Sequence, residues 1–386
     1  MWSWLSTRIS WYNRKLVSYL PLLDIPKSTC TIKLFHRMAL SELTSMQSLE
    51  VPLGSRSYPI WIGTPAAQGL ALAWRKSCPD PSRFVVIADQ KILSIAHKTI
   101  NSLGLDSKDV ALLEVPSGEE SKSIQELQRL WRRMASLRAD RKTVVVAVGG
   151  GVIGDLAGFL AASWNRGVRF IQIPTTLLAM VDSSVGGKTG INLPEAKNVI
   201  GAFWQPKMVW IDLANLDSLP PREYTSGLAE VVKYGVIMDA EFFGWLEANS
   251  DAVLRRDGMV LTQLVRRCCE LKARVVVEDE HETTGLRAIL NYGHTYGHAI
   301  ESLAHYGTYL HGEAVSIGMT MAGRLAVALG RWSNQELSRQ TALLEAFALP
   351  TRLGHHHERL APETIIQAMQ LDKKTSHGRS EEHTSE

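Results

Sequence analysis

Cysteine is scarce in this chain: four residues, Cys30, Cys78, Cys268 and Cys269, with no CxxC spacing and with the last two adjacent. That pattern argues against a disulfide framework and suits packed thiols in a reducing compartment. No run of about eighteen apolar residues occurs, so no segment reads as a membrane-spanning helix. An excess of one charge is lacking too. The net charge of +3 is too small to point to nucleic acid or a membrane surface. What remains is an ordinary globular composition, 45% hydrophobic and 21% charged, over 386 residues. That length accommodates two domains, each with its own core.

The two ends differ from the body. Through Leu40 the chain carries Arg8, Arg14, Lys15, Lys27, Lys33 and Arg37 against one acid, Asp24. Such a segment fits a transit peptide, which would imply a plastid. It fits equally a stretch upstream of a start at Met38 or Met46, favoured because no amphipathic period is evident. A cytoplasmic location is therefore expected, with residues 1–48 outside the fold. The closing RSEEHTSE, residues 379–386, is polar and aperiodic, and is expected to be unstructured.

Between Leu49 and residue 222, β-branched runs alternate with helical patterns. LEVPLG and YPIWIG read as a hairpin. FVVIAD (84–89), ALLEVP (111–116), TVVVAV (143–148), VRFIQIP (168–174) and MVWID (208–212) read as strands, and 121–139 as an amphipathic helix capped by Ser121 or Ser123. Alternation of this kind implies a mostly parallel sheet flanked by helices, a Rossmann-like α/β domain. TVVVAV runs straight into Gly149-Gly150-Gly151-Val152-Ile153-Gly154-Asp155. Glycines there permit a tight turn and bring backbone N–H groups and a helix N-terminus to a pyrophosphate. The ribose-binding acid expected about 20 residues on is absent, since none follows Asp155 until Asp182. A glycine-rich loop then precedes Lys188, and Lys197-Asn198 follows, a pairing that suits an anionic ligand.

From 223 to 378 helical runs take over: 225–236, 240–248, 258–277, 294–304, 311–330 and 335–347, an all-α half. Glu230 and Lys233 stand one turn apart. In RAILNYGHTYGHAIESLAHYGTYLHGE, His294 and His298 share a helix face and His311 follows at a helix start. An isolated HxxxH serves caps and carbonyls more often than metal. A carboxylate with two imidazoles makes a hydrolytic-type zinc set with room for substrate oxygens. Glu230, Glu301 and Glu313 are the rival carboxylates, the last two also as partners orienting a histidine. His355-His356-His357 reads as a solvated loop.

GGGVIGDLAGF, RGVRFIQIPTTLLAMVDSSVGGKTGIN, KNVIGAFWQP, GLAEVVKYG, DEHETTGLRAILNYGHTYGHAIES, LHGEAV and DKK resemble, in order, the 3-dehydroquinate synthases of the sugar-phosphate cyclase superfamily. The resemblance runs from about Leu49 to Gly378. It implies conversion of 3-deoxy-D-arabino-heptulosonate 7-phosphate to 3-dehydroquinate and phosphate, the second step of the shikimate pathway towards chorismate and the aromatic amino acids. The reaction is redox-neutral: transient oxidation by NAD, β-elimination of phosphate, re-reduction and intramolecular aldol closure.

It implies a metal, Zn2+ or Co2+, on Glu230, His294 and His311. It implies catalytic contacts from Lys188, Lys233, Lys272, Arg287, Asn291 and His298, and substrate contacts from Arg166, Asp182 and Asn198. For NAD it implies Asp89, Ser117, Gly118, Glu119, Lys122, Gly151, Val152, Ile153, Gly154, Asp155, Thr175, Thr176, Asp182, Lys188, Lys197, Asn215, Leu216, Asp217 and Ser218. Arg166 reaching a partner's site would make a homodimer. Lys91 stands where a small polar residue is usual, and either Lys373 or Lys374 would meet substrate. Alternatives are another sugar-phosphate cyclase, a metal-dependent polyol dehydrogenase of similar fold, or an inactive NAD-binding scaffold.

Overall fold

A computed structural model describes residues 46–65, 69–304, 308–354, 362–370, 375–376 and 379–380. Residues 1–45, the His355–His357 run, Lys373, Lys374 and 381–386 lie outside the described residues. The β-branched runs form strands β1 (Met46–Val51), β2 (Tyr58–Gly63), β3 (Phe84–Asp89), β4 (Val110–Val115), β5 (Val144–Gly149), β6 (Arg169–Pro174) and β9 (Met208–Asp212). They make one sheet of order β1-β2-β9-β6-β5-β3-β4, antiparallel at β1–β2 and parallel elsewhere. Strand order reverses between β3 and β5, and ligands of open α/β sheets bind beyond the carboxyl ends of strands at such a point.

Two boundaries differ from the sequence reading. β1 starts at Met46, three residues before Leu49, because antiparallel pairing extends to Met46 opposite Gly63 and Met46 is buried. The amphipathic helix is shorter than its pattern, Ile124–Ser136 (α3), because Ser123 rather than Ser121 caps it by accepting from the Glu126 N–H. Helices α1 (Gly69–Ser77), α2 (Leu93–Ser102) and α4 (Gly151–Ser163) complete the flanking layers. Central strands are buried on both faces, as Val85, Val86, Val145 and Val146 are all fully inaccessible.

An antiparallel hairpin, β7 (Lys188–Ile191) with β8 (Ile200–Phe203), was not evident in the sequence; its glycines read as loop. Gly190 and Gly201 face each other across it, where a side chain on either would strike the opposite backbone. The helical half comprises α5 (Pro221–Met238), α6 (Ala240–Leu254), α7 (Gly258–Glu278), α8 (His294–Leu303), α9 (His311–Ala328), α10 (Asn334–Ala346) and α11 (Pro362–Gln370). α5 begins at Pro221, since proline is favoured in a first turn. Arg379–Ser380, expected to be unstructured, pairs antiparallel with Thr375–Ser376 as β11 with β10.

The halves share a core. Ile60 and Ile62 of β2 and Val209 and Ile211 of β9 pack in one cluster with Leu228, Val231 and Val232 of α5 and Leu264 and Val265 of α7. Site residues carried by α5 and α7 are thereby held on the sheet. Among the described residues no helix is long and apolar enough to cross a membrane.

Candidate active site

α5, α8 and α9 converge because small residues let their backbones touch. A Cβ on Gly312 would fall well inside 3.0 Å of the Ser226 carbonyl, and one on Gly318 equally close to the Gly293 carbonyl. Gly293 has φ +78°, a left-handed conformation that glycine adopts without strain, and starts α8 at His294. The Ser226 hydroxyl accepts the Gly312 N–H at 3.0 Å, fixing the start of α9 against α5.

This packing gathers Glu230, His294 and His311, whose ligand atoms all lie within 4.8 Å of one another. Nε2 of His294 is 3.5 Å and Nε2 of His311 3.7 Å from Glu230 Oε1. Each ring is oriented from behind: His294 Nδ1 faces the Tyr292 carbonyl at 3.2 Å, and His311 Nδ1 the Glu301 carboxylate at 3.3 Å. With Nδ1 donating, Nε2 keeps its lone pair for a metal. Glu230 is wholly buried and neither oxygen has a hydrogen bond, although Lys233 pairs with Oε2. A buried carboxylate without hydrogen bonds is costly unless a cation completes it. Burial lowers the pKa of His311, but Glu230 and Glu301 outweigh it and hold it up to about 10, a measure of the negative charge here. The donor set therefore fits a divalent cation.

A second charged group adjoins it. Lys272 donates to Asp182 Oδ1 at 2.8 Å and to its carbonyl at 2.6 Å, and the Tyr234 hydroxyl donates to the same Oδ1 at 2.7 Å. Burial, with Asp182 and Glu230 nearby, pushes the Tyr234 phenol well above its ordinary value, so it remains a donor. Burial raises the pKa of Asp182, and Lys272 and Lys233 more than reverse this. Arg287 is buried, donates to the Glu280 carbonyl at 2.9 Å, and leaves Nε without a partner. Its guanidinium lies beside Gly186, φ +101°, whose missing side chain makes room for it.

At the other end, β5 delivers the glycine turn to α4, with Gly150 as the cap and Gly151, Val152, Ile153 and Gly154 in the first turn. Any Cβ on Gly151 would lie 3.1 Å from the Ser183 hydroxyl, and one on Gly154 would lie 2.8 Å from Gln172 Oε1. Open backbone before a helix N-terminus, with the Ser183 Oγ and Ser184 Oγ buried and without partners, fits an anionic dinucleotide. Beneath the turn Lys122, buried, donates to Asp155 at 2.7 Å and to Asn198, with Glu119 at 3.7 Å. Burial raises the Asp155 carboxyl, with Lys122 opposing. Asp89 accepts from Ser117 and from the Lys91 N–H at 2.8 Å, and Gly118, φ +113°, starts the turn after it. The Thr175 N–H donates to the Gly149 carbonyl at 3.0 Å, and Thr176 Oγ1 accepts from the Ala179 N–H at 3.2 Å. Asn215 and Leu216 are buried and Asp217 and Ser218 exposed at the β9 end.

Several expected residues sit elsewhere or in other company. His298 is beside the triad, its ring 5.6 Å from that of His294, but outside the three-donor group. Lys188 is half exposed and pairs with Glu282; Lys197 lies 3.7 Å from Glu301. Asn291 ends a short helical turn before α8. Arg166 is exposed beyond the far end of α4, a thirteen-residue helix about 20 Å long that starts at the glycine turn. Of the rival carboxylates, Glu313 is taken by Arg222 at 2.6 and 2.7 Å and caps α9 through the Leu310 N–H. Sequence reasoning missed Tyr234, Ser226 and Glu282. For Tyr234 a signal existed: it stands four residues after Glu230, on the same face of one helix.

A glycine-turn sheet together with a two-histidine, one-carboxylate cluster groups the chain with cyclases solved with NAD+ and a divalent metal bound. A solved 2-deoxy-scyllo-inosose synthase, complexed with carbaglucose-6-phosphate, NAD+ and Co2+, superposes with a TM-score of 0.75 at 28% identity, covering 84% of this chain and 86% of that one. A 2-epi-5-epi-valiolone synthase from Streptomyces hygroscopicus with NAD+ and Zn2+ bound gives 0.71 at 27% identity, over 81% and 85%. Models of the 3-dehydroquinate synthase N-terminal and C-terminal regions match residues 112–226 and 227–375. A 3-dehydroquinate synthase of Rhodopirellula baltica is 51% identical over 340 residues, 86% of this chain and 90% of that protein. The chain belongs to the 3-dehydroquinate synthase family.

Proposed function

We propose that the chain converts 3-deoxy-D-arabino-heptulosonate 7-phosphate to 3-dehydroquinate and inorganic phosphate, with residues 49–222 carrying NAD and 223–378 the metal and most of the substrate site. The observation that supports this best is the convergence of Glu230, His294 and His311 beside the Asp182–Lys272 pair. Glu230, His294 and His311 would hold a divalent cation, which would supply Lewis acidity to a substrate oxygen bound beside it. NAD at the glycine turn would supply a hydride acceptor.

The remaining work falls to side chains. The substrate bears a carboxylate at one end and a phosphate at the other. Lys188, Lys233, Lys272, Arg287, Asn291, His298, Asn198 and Arg166 form the double anchor. Their own acids and carbonyls hold several of these cations in place before substrate arrives, Lys233 on Glu230, Lys272 on Asp182 and Arg287 on Glu280. Anchoring both ends fixes the near-attack geometry, an effect that can lower a barrier by about 7–11 kcal/mol. Lys122, Asp155 and Lys197 support the glycine turn against the cofactor's phosphates. Zn2+ or Co2+ suits the donor set, and a homodimer would give exposed Arg166 a partner's site to enter. The apolar residues Val199, Ile200 and Phe203 of the β8 hairpin, 45, 36 and 37% exposed, suit such contact.

Purified protein with the heptulosonate phosphate, NAD and Co2+ should release phosphate and dehydroquinate one for one, with no net reduced nicotinamide. Net reduction of NAD with a polyol would instead indicate a dehydrogenase. Phosphate release from sedoheptulose 7-phosphate alone would indicate a different cyclase.

A further inference from the structure

One carboxylate joins the two halves of the site. Glu301, on α8, turns Oε2 to His311 Nδ1 at 3.3 Å and Oε1 to Lys197 Nζ at 3.7 Å. Lys197 belongs to the connection between β7 and β8, next to Asn198, whose side chain is held by Lys122 under the glycine turn. Glu301 is largely buried, its side chain 13% exposed. An unbroken path of polar contacts therefore runs from Asp155 through Lys122, the 197–198 segment and Glu301 to a metal-ligating imidazole. The links are direct contacts between charged or dipolar groups except at residues 197–198, where Lys197 and Asn198 are joined by the backbone.

We propose that Glu301 is a positioning residue that couples occupancy of the anionic-ligand side to the strength of the metal centre. This rests on the metal and dinucleotide reading above. While Lys197 holds Oε1, it draws off part of the carboxylate's charge, and His311 is a poorer ligand. An anionic ligand at the glycine turn recruits Lys197, the full carboxylate then acts on Nδ1, and Nε2 becomes a stronger donor. By linkage, metal must tighten the anionic ligand by the same factor.

The test is Co2+ affinity of metal-stripped protein, measured by competition against a colorimetric chelator with and without saturating NAD, for wild type, Glu301→Gln and Lys197→Met. Glu301→Gln should weaken Co2+ binding by roughly 10–100-fold, the usual loss on removing such a partner. In wild type NAD should tighten Co2+ by about fivefold or more. In Lys197→Met, with NAD raised until its own binding to the variant is saturated by titration, Co2+ should bind at least as tightly as in wild type and the NAD effect should vanish. Wild-type affinity in Glu301→Gln, or an undiminished NAD effect in Lys197→Met, would overturn the coupling. Failure of the wild-type protein to bind Co2+ at all would instead remove the metal-centre reading beneath it.

Discussion

Substituting Gly312 by alanine adds one methyl group to the first turn of α9, yet the structure predicts the loss of the metal centre. The new Cβ would sit roughly 1 Å or more inside the 3.0 Å floor of real Cβ contacts, against the Ser226 carbonyl and not a movable side-chain end. α9 must then back away from α5 by about that much. His311 immediately precedes Gly312 and Glu230 lies four residues after Ser226, so the shift opens the triad itself. Metal sites tolerate errors of only about 0.2 Å in ligand distance, so a displacement near 1 Å removes one of three ligands. Overpacking of this kind costs about 1–3 kcal/mol of stability, which should leave the protein folded. Co2+ affinity should fall by about 100-fold or more, and kcat/KM for phosphate release by a similar factor. Gly244→Ala in α6 is the control: nothing lies within 4 Å of the added Cβ, so stability should hold or rise by up to about 1 kcal/mol with Co2+ binding unchanged. Chelator competition and denaturant titration on the three proteins decide the matter. A Gly312→Ala protein that binds Co2+ like wild type would refute the argument that helix contact at this residue sets the triad.

His294→Ala and His298→Ala should separate cleanly. The first should lose Co2+ binding, and the second should keep affinity within about threefold while kcat/KM falls by about 100-fold, since only His294 belongs to the three-donor group. Equal loss of metal in both would contradict this. Tyr234→Phe removes one hydrogen bond to a charged group, worth about 1.5–3 kcal/mol, so kcat/KM should drop roughly 10- to 100-fold with metal affinity retained. An unchanged rate would mean that Asp182 is held by Lys272 alone. Asp279 supplies the pH prediction. Burial raises its carboxyl, but N–H groups of Thr284, Thr283 and Arg287 outweigh this and hold it at about 2, below the usual 3.8. Its contribution is thus complete above about pH 4 and is lost as pH falls through 2. Asp279→Asn should remove that portion of the acid-induced fall in melting temperature, and an identical pH profile for the variant would disprove it.

The local elements were readable because period and punctuation are local. FVVIAD and MVWID became strands over the residues that carry the pattern, and GGGVIGD became a strand–turn–helix, because β-branched runs and consecutive glycines leave the backbone few other choices. The β7–β8 hairpin escaped notice for the opposite reason. Its paired glycines are demanded by the facing strand, a neighbour that no local pattern reveals.

The residues alone supplied the ingredients of the site, two histidines on one helix face, a third at a helix start and three carboxylates within reach, and left the choice among Glu230, Glu301 and Glu313 open. Family resemblance favoured Glu230, but the physical reason is tertiary. α5 is buried along the face that carries Glu230, so that carboxylate makes no hydrogen bond and has only the Lys233 ammonium paired with one of its oxygens. Glu313 is claimed by Arg222, and Glu301 stands behind His311. Which acid becomes a ligand depends on how closely three helices approach, and glycines far apart in the chain, meeting only after folding, set that distance.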